Sequence, residues 1–295
     1  MRETIDSVLL RGQQWLETVW RDKPVVPVVR LTGTIGFSTP LKPGLTLANS
    51  ARNLERAFAV KKAKAVALVI NSPGGSPVQS HLIYRRIRQL AEEKKLPVFA
   101  FIEDVGASGG YMIACAADQI LCDPSSILGS IGVVGASFGL TEAIRKIGIE
   151  RRVYSAGERK VTLDPFLPEN PDDVARLKAI QRNIHDGFIA LVKERRAGKL
   201  QGPESALFSG EYWDGSRAVE LGLADGLDDI RGYLRRQFGE TVRMPVIAER
   251  GWFARRFAGM KIGREDMREP NLAADFAEGA LAAIEARALW SRYGL

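Results

Sequence analysis

The chain of 295 residues has only two histidines and two cysteines, and that scarcity removes several chemistries at once. Cys115 and Cys122 form no Cys-x-x-Cys and have no histidine at ligand spacing, so no metal site is expected. Both read as small buried hydrophobes. His81 lies in the helical pattern after a Gly-Gly turn and His185 in the long pattern from Asp172 to Arg196; each reads as a surface or packing residue rather than as half of a Ser-His pair. There is no Gly-x-x-x-x-Gly-Lys-Ser/Thr and no Gly-x-Gly-x-x-Gly with a later acid, so no nucleotide cofactor is expected. No apolar run reaches the roughly eighteen residues of a membrane span. The opening Met1-Arg-Glu-Thr-Ile-Asp carries an acid early, and Arg11 interrupts Val8-Leu-Leu10, which is not a signal-peptide pattern. The expectation is a cytoplasmic protein, with contact at the periphery of the inner membrane as the alternative.

The formal charge of +7 invites a nucleic-acid partner, but the cations alternate with acids along helices such as Tyr84–Lys95 and Lys178–Lys199. No zinc-finger or RNP motif accompanies them, so no nucleic acid is expected. With 45% hydrophobic and 26% charged residues, the chain can bury a full core.

What is present is a repeated strand-then-helix order. Strands are expected at Val25–Gly33, Ala65–Asn71, Pro97–Glu103, Gln119–Cys122, Ile131–Val134 and Arg151–Ser155. Helices are expected at Leu47–Val60, Val78–Lys94, Gly109–Ala117, Thr141–Lys146, Pro171–Arg196, Gly215–Leu221 and Ile230–Phe238. Such alternation implies an α/β fold. At the N-terminus Ile5, Val8, Leu9, Leu16, Val19 and Trp20 share one helical stripe. At the C-terminus Trp252–Arg264 mixes aromatics with cations, and Leu272, Phe276, Ala280, Leu281, Ile284 and Leu289 suggest a last helix. The division expected is an amphipathic helix over 1–23, a catalytic body over 24–240 and a helical extension over 241–295. The terminal segments are expected to pack on the body or on a neighbouring subunit, the alternative being a membrane surface.

Four short strings carry chemistry. Gly-Ala-Ser-Gly-Gly-Tyr at 106–111 follows an apolar run and opens another, which puts the Ser108 hydroxyl on a strand-to-helix corner. There a nucleophile stands clear of its backbone, and the helix N-terminus favours developing negative charge. Val66–Gly75 is a buried-strand run ending in Gly74-Gly75, whose N–H groups can face outward as in an oxyanion hole or a phosphate cradle. Leu128-Gly-Ser-Ile-Gly-Val-Val134 holds a second glycine-flanked serine, Ser130. The loop Ser155–Phe166 presents Lys160.

A serine nucleophile needs an adjacent base; with histidine unpromising, lysine is the alternative. It carries a requirement, because a free lysine is neutral in only about one part in 2,500 at pH 7, and a site must lower its pKa by about three units. Burial among apolar groups does this.

In their order and spacing these strings resemble the signal peptide peptidase A family of serine proteases, with its Ala-Ser-Gly-Gly-Tyr nucleophile motif, Gly-Ser-Ile-Gly segment and Ser-Gly-x-x-Lys loop; the resemblance runs from about Pro24 to Phe238. The loop here reads Ser-Ala-Gly-Glu-Arg-Lys, a minor departure that keeps the lysine. The resemblance implies Ser108 as nucleophile, Lys160 as general base, Ser130 as the hydroxyl that orients the lysine, and the N–H groups of Gly75 and Gly109 as the oxyanion hole. It implies the ββα superhelix shared by Clp proteases and crotonases, with Phe208–Asp225 as the closing turn-helix and Gly222 as its helix cap. It further implies an endopeptidase acting on peptides such as residual signal peptides or hydrophobic protein fragments. A single-copy chain is expected to form a homo-oligomeric ring, of eight subunits by resemblance, with active sites at subunit interfaces. The competing readings are a crotonase-like acyl-CoA enzyme and a non-catalytic scaffold for assembly.

Overall fold

The computed structural model describes residues 23–36, 44–157, 159–248, 284 and 287–294. The N-terminal stripe and the aromatic-cationic segment 252–264 lie outside these residues.

Five parallel strands form the spine of the sheet: β1 (Val28–Thr32), β2 (Val66–Ser72), β3 (Val98–Ala107), β4 (Gln119–Cys122) and β7 (Gly226–Leu227), side by side in that order. Along β2 the side chains alternate between two buried faces. Val66, Leu68 and Ile70 enter one apolar cluster, and Ala67 and Val69 another. Burial on both faces is why the run reads as continuously apolar rather than alternating. The first face is covered by α1 (Leu47–Phe58), α2 (Pro77–Lys94), α3 (Gly109–Ala114) and α5 (Pro171–Arg195), through Leu54, Ile83, Ile87, Ile113 and Val192. The second is covered by α8 (Ile230–Phe238), whose Tyr233 meets Phe99 and Phe101 edge-on.

The strand that matters most is β3, which is long enough to serve two neighbours. Phe99–Ile102 pair with β4, and Val105–Ala107 pair with β5 (Ile127–Gly129). An irregularity separates the halves: Ile70 pairs with Ile102, but Ser72 pairs with Gly106. Asn71 closes it, donating to Asp104 at 2.6 Å and accepting from the Val105 N–H at 3.3 Å. On its other edge β5 pairs antiparallel with β6 (Tyr212–Asp214). The chain reaches β6 through α6 (Glu204–Leu207) and leaves it in α7 (Gly215–Glu220).

Two expected strands are corrected. The strand in the Gly-Ser-Ile-Gly region is Ile127–Gly129, not Ile131–Val134, because pairing stops where Ser130 turns at φ 51°. Arg151–Ser155 is not a strand, since no neighbouring strand offers it the backbone partners a strand needs. Helix Thr141–Lys146, here α4, and Ile230–Phe238 have the expected bounds. Gly222 does cap α7, at φ +71°, where an added Cβ would stand 1.9 Å from the Lys199 carbonyl oxygen.

That cap belongs to a buried ionic knot. Arg196, whose side chain is 2% exposed, bonds Asp225 at 2.7 Å and donates twice to the Gly222 carbonyl. Asp225 also accepts from Lys199 and from the Ile120 N–H, both at 2.7 Å. Burial pushes the Asp225 carboxyl up, but Arg196, Lys199 and Ile120 outweigh it and hold the group below the usual carboxylate range. A carboxyl lowered in the folded state stabilises fully above its unfolded pKa, about 4, and loses that contribution as pH falls through its lower folded value. Asp225→Ala should therefore cost about 3–5 kcal/mol at pH 7 by leaving Arg196 buried and unpaired. In urea titrations its deficit relative to the wild type should shrink on acidification below about pH 4; a deficit constant with pH would contradict this assignment.

Candidate active site

The register of β3 on β5 builds the centre of the site. Ala107 pairs with Gly129, so the next residues, Ser108 and Ser130, stand side by side at the ends of strands about 4.8 Å apart. The Ser108 N–H donates to the Gly129 carbonyl at 2.8 Å and the Ser130 N–H to the Glu211 carbonyl at 2.6 Å, fixing both corners. Each serine holds positive φ, 51° in both cases. Ser108, at φ 51° and ψ −121°, caps α3 without a side-chain cap bond. Its half-buried hydroxyl has no hydrogen-bond partner among the described residues. A serine kept in a sparsely populated backbone region, hydroxyl free, is the geometry of a nucleophile on a sharp strand-to-helix turn.

The β2–α2 turn closes over this corner. Gly74 packs so tightly that an added Cβ would be 2.7 Å from the Ser108 Cβ. Gly75, at φ +140°, is threaded past Ile35, whose carbonyl oxygen would be 2.1 Å from a Cβ. The Ile35 backbone bonds Gly74 and Ser76 and skips the residue between. The Gly75 N–H therefore has no acceptor among the described residues, and neither does that of Gly109 in the first turn of α3. Two unpaired N–H groups thus flank Ser108, one from each turn. Beneath them Gly109 and Gly110 press on Ser80 Oγ and the Ser72 carbonyl, where Cβ atoms would sit at 2.2 and 2.5 Å. Tyr111, fully buried, ties α3 down through a 2.8 Å bond to the Leu223 carbonyl.

Lys160 is placed elsewhere in character. It lies in an exposed loop, and its ammonium makes no hydrogen bond or ion pair among the described residues. The apolar burial expected for a lysine base is therefore not supplied around Lys160 by the described residues. His185 donates through Nε2 to the Ile131 carbonyl at 2.9 Å, and His81 stacks on Tyr84; neither hydrogen-bonds Ser108. Both cysteines are buried, and burial pushes their thiols up to about 12, which removes them as nucleophiles. A cavity of about 940 Å³ opens on the other sheet face, around Val28, Val69 and Phe101, and has no serine, cysteine, histidine or lysine in its lining. No group of three His, Cys, Asp or Glu among the described residues could hold a metal ion.

One contact had no sequence signal. Tyr293 packs on Val105 and Ala107, just before the nucleophile, and meets the Tyr212 ring at 5.1 Å. Burial pushes its phenol up, while the charge of Arg292 pulls the other way. Only a pairing across more than 160 positions brings these groups together, which no local pattern reveals.

The backbone strain at Ser108 is testable without any assay of activity. Ser108→Gly, which relieves positive φ, should raise stability relative to Ser108→Ala by about 1–2 kcal/mol in chemical denaturation. Equal stability of the two variants would mean that the corner is not strained.

The family model for peptidase family S49 matches residues 90–237, a span that includes Ser108, Ser130 and Lys160. A protein of Brucella abortus named Na(+)/H(+) antiporter NhaA is 56% identical over 272 residues, 92% of this chain and 37% of that protein. The chloroplastic serine protease SPPA of Arabidopsis thaliana is 30% identical over 236 residues, 77% of this chain and 34% of that protein. The chain thus spans little more than a third of either relative. Among solved structures, the 1510-N membrane-bound stomatin-specific protease, as a mutant in complex with a substrate peptide, gives a TM-score of 0.47 at 15% identity, covering 80% of this chain and 97% of that one. The chain belongs to peptidase family S49, and its parallel sheet with flanking helices is the Clp protease/crotonase-like α/β fold.

Proposed function

We propose that the chain is a serine endopeptidase working through a Ser108–Lys160 dyad, and that the dyad is completed between subunits. The observation that carries the reading is the Ser108 corner: a free hydroxyl at positive φ, flanked by the unpaired N–H groups of Gly75 and Gly109. In this reading neutral Lys160 takes the Ser108 proton as Oγ bonds to the substrate carbonyl carbon. The two N–H groups hold the resulting oxyanion. Lys160 then returns the proton to the leaving amine, and water hydrolyses the acyl-enzyme by the same route. Ser130, beside Ser108, orients the lysine.

Two features support a shared site. Lys160 is exposed in the single chain, whereas a lysine base requires a dry, apolar setting. The segment that carries it and the helix that follows expose an unusual amount of apolar surface: Phe138 is 82% exposed, Ile147 70% and Tyr154 91%, with Ile180 at 51%. Large apolar side chains exposed in this number mark an interaction face. Head-to-tail contact that brings Lys160 of one subunit to Ser108 of the next must close into a ring to be finite, and a ring of eight is the size proposed. The substrates proposed are peptides with apolar side chains, such as residual signal peptides or fragments of membrane proteins. No helix among the described residues is long and apolar enough to cross a membrane; a cytoplasmic enzyme working at the inner-membrane surface, with 252–264 as its contact, fits these substrates.

Ser108→Ala and Lys160→Ala should each lower kcat/KM for peptide hydrolysis by at least about 10⁴-fold, with the double variant no worse. Ser130→Ala should cost less. Mixing the two inactive variants under demonstrated subunit exchange should restore part of the activity, because some interfaces pair an intact serine with an intact lysine. Activity retained in folded Lys160→Ala would eliminate the lysine base; no recovery on exchange, or a fully active monomer, would eliminate the shared site.

A further inference from the structure

Residues 287–293 are seated on the end of β3, one residue before the candidate nucleophile. Residues 287–291 are helical, and the turn that follows lays Tyr293 against Val105 and Ala107 with Trp290 beside it and Ile127 below. Tyr293 is 9% exposed. Its ring meets Tyr212 at 5.1 Å with the planes 77° apart, and the Tyr212 hydroxyl donates to the Arg292 carbonyl at 3.3 Å. The seat is therefore made by the last residues of β3 and by β5, the two strands that Ser108 and Ser130 follow, and by β6 beside them. Val105 and Ala107 share one face of β3, and Ser108 follows directly. A large apolar side chain entering beside the nucleophile would meet the same surface.

We infer that Trp290–Tyr293 is a built-in competitor: an autoinhibitory strap whose aromatic side chains occupy the surface that receives an apolar residue of a peptide substrate. The inference rests on Ser108 being the nucleophile. A strap of this kind shifts a two-state equilibrium. While it is seated, the accessible site is a minor population, and apparent substrate affinity falls by that fraction. Bulky apolar peptides displace it because they make the contacts it makes. Small polar peptides cannot, so the strap also discriminates among substrates by what must be removed before they bind.

The test uses the full chain and two readouts, fluorophosphonate labelling of Ser108 and hydrolysis of fluorogenic peptides. Tyr293→Ala should label at least about threefold faster than the wild type and show a lower KM with little change in kcat, as expected when a competing occupant is removed. Trp290→Ala should do the same to a smaller degree. Tyr293→Phe, which keeps the ring that fills the seat, should stay close to the wild type. The free peptide Arg-Ala-Leu-Trp-Ser-Arg-Tyr-Gly, the sequence of 287–294, should inhibit Tyr293→Ala competitively, and a version with both aromatics replaced by alanine should not. Equal labelling and KM in wild type and both alanine variants would overturn the strap while leaving the nucleophile intact. Slower labelling in Tyr293→Ala would overturn it too, by making Tyr293 a supporting residue. Absence of labelling at Ser108 in every form, wild type included, would instead remove the nucleophile reading on which the strap depends.

Discussion

The pairing of Ala107 with Gly129 is the constraint from which the site follows. Parallel strands ending in register deliver their next residues to the same place, and here those residues are Ser108 and Ser130. The pairing needs a glycine on β5, because a side chain at Gly129 would collide with the Trp213 ring at 2.8 Å. It also needs β3 to change partners halfway, which the irregularity closed by Asn71 and Asp104 accomplishes. Without that change β3 would continue along β4, and Ser108 would have no second hydroxyl beside it. A sheet irregularity some four residues upstream is thus part of the chemistry, in keeping with the frequency of such features near functional sites.

Rigidity is distributed to suit that geometry. Under Ser108, α3 is buried along its whole length and fits against Ser72 and Ser80 only because Gly109 and Gly110 lack side chains. Its Tyr111 reaches the turn knotted by Arg196 and Asp225. The corner is therefore held from the sheet, the helix and the ionic knot at once, which lets a non-glycine residue persist at positive φ. The segment from Val133 to Asn170 is the opposite: α4 buries none of its residues, and Phe138, Ile147, Ile149 and Tyr154 are exposed.

Much of this was legible in the sequence because it is local. The glycine strings marked both turns at the site, the apolar runs marked β2, β3 and β4, and the helical patterns placed the starts of α5 and α7 at Pro171 and Gly215. What was not legible depended on partners far along the chain. Arg151–Ser155 has the composition of a strand but nothing to pair with. β5 lies four residues earlier than expected, because the free edge of β3, and not hydrophobicity, decides where pairing begins. The seat of Tyr293 depends on strands that the chain left some eighty residues before, at β6, and nearly two hundred before, at β3.

The division between a rigid corner and an outward-facing arm has a consequence for control. In a site built wholly within one subunit, a nucleophile with its base is active as soon as the chain folds. Under the proposed reading the corner and oxyanion donors form on folding, but the base, and the dry surroundings it needs, arrive only with a neighbour. Folding and activation then become separate equilibria, the second dependent on subunit concentration. The apolar residues around Phe138 and Tyr154, unfavourable in water, are what would drive that second step. The dryness they create on association is the same dryness the lysine needs, so one burial event would assemble the ring and tune the base.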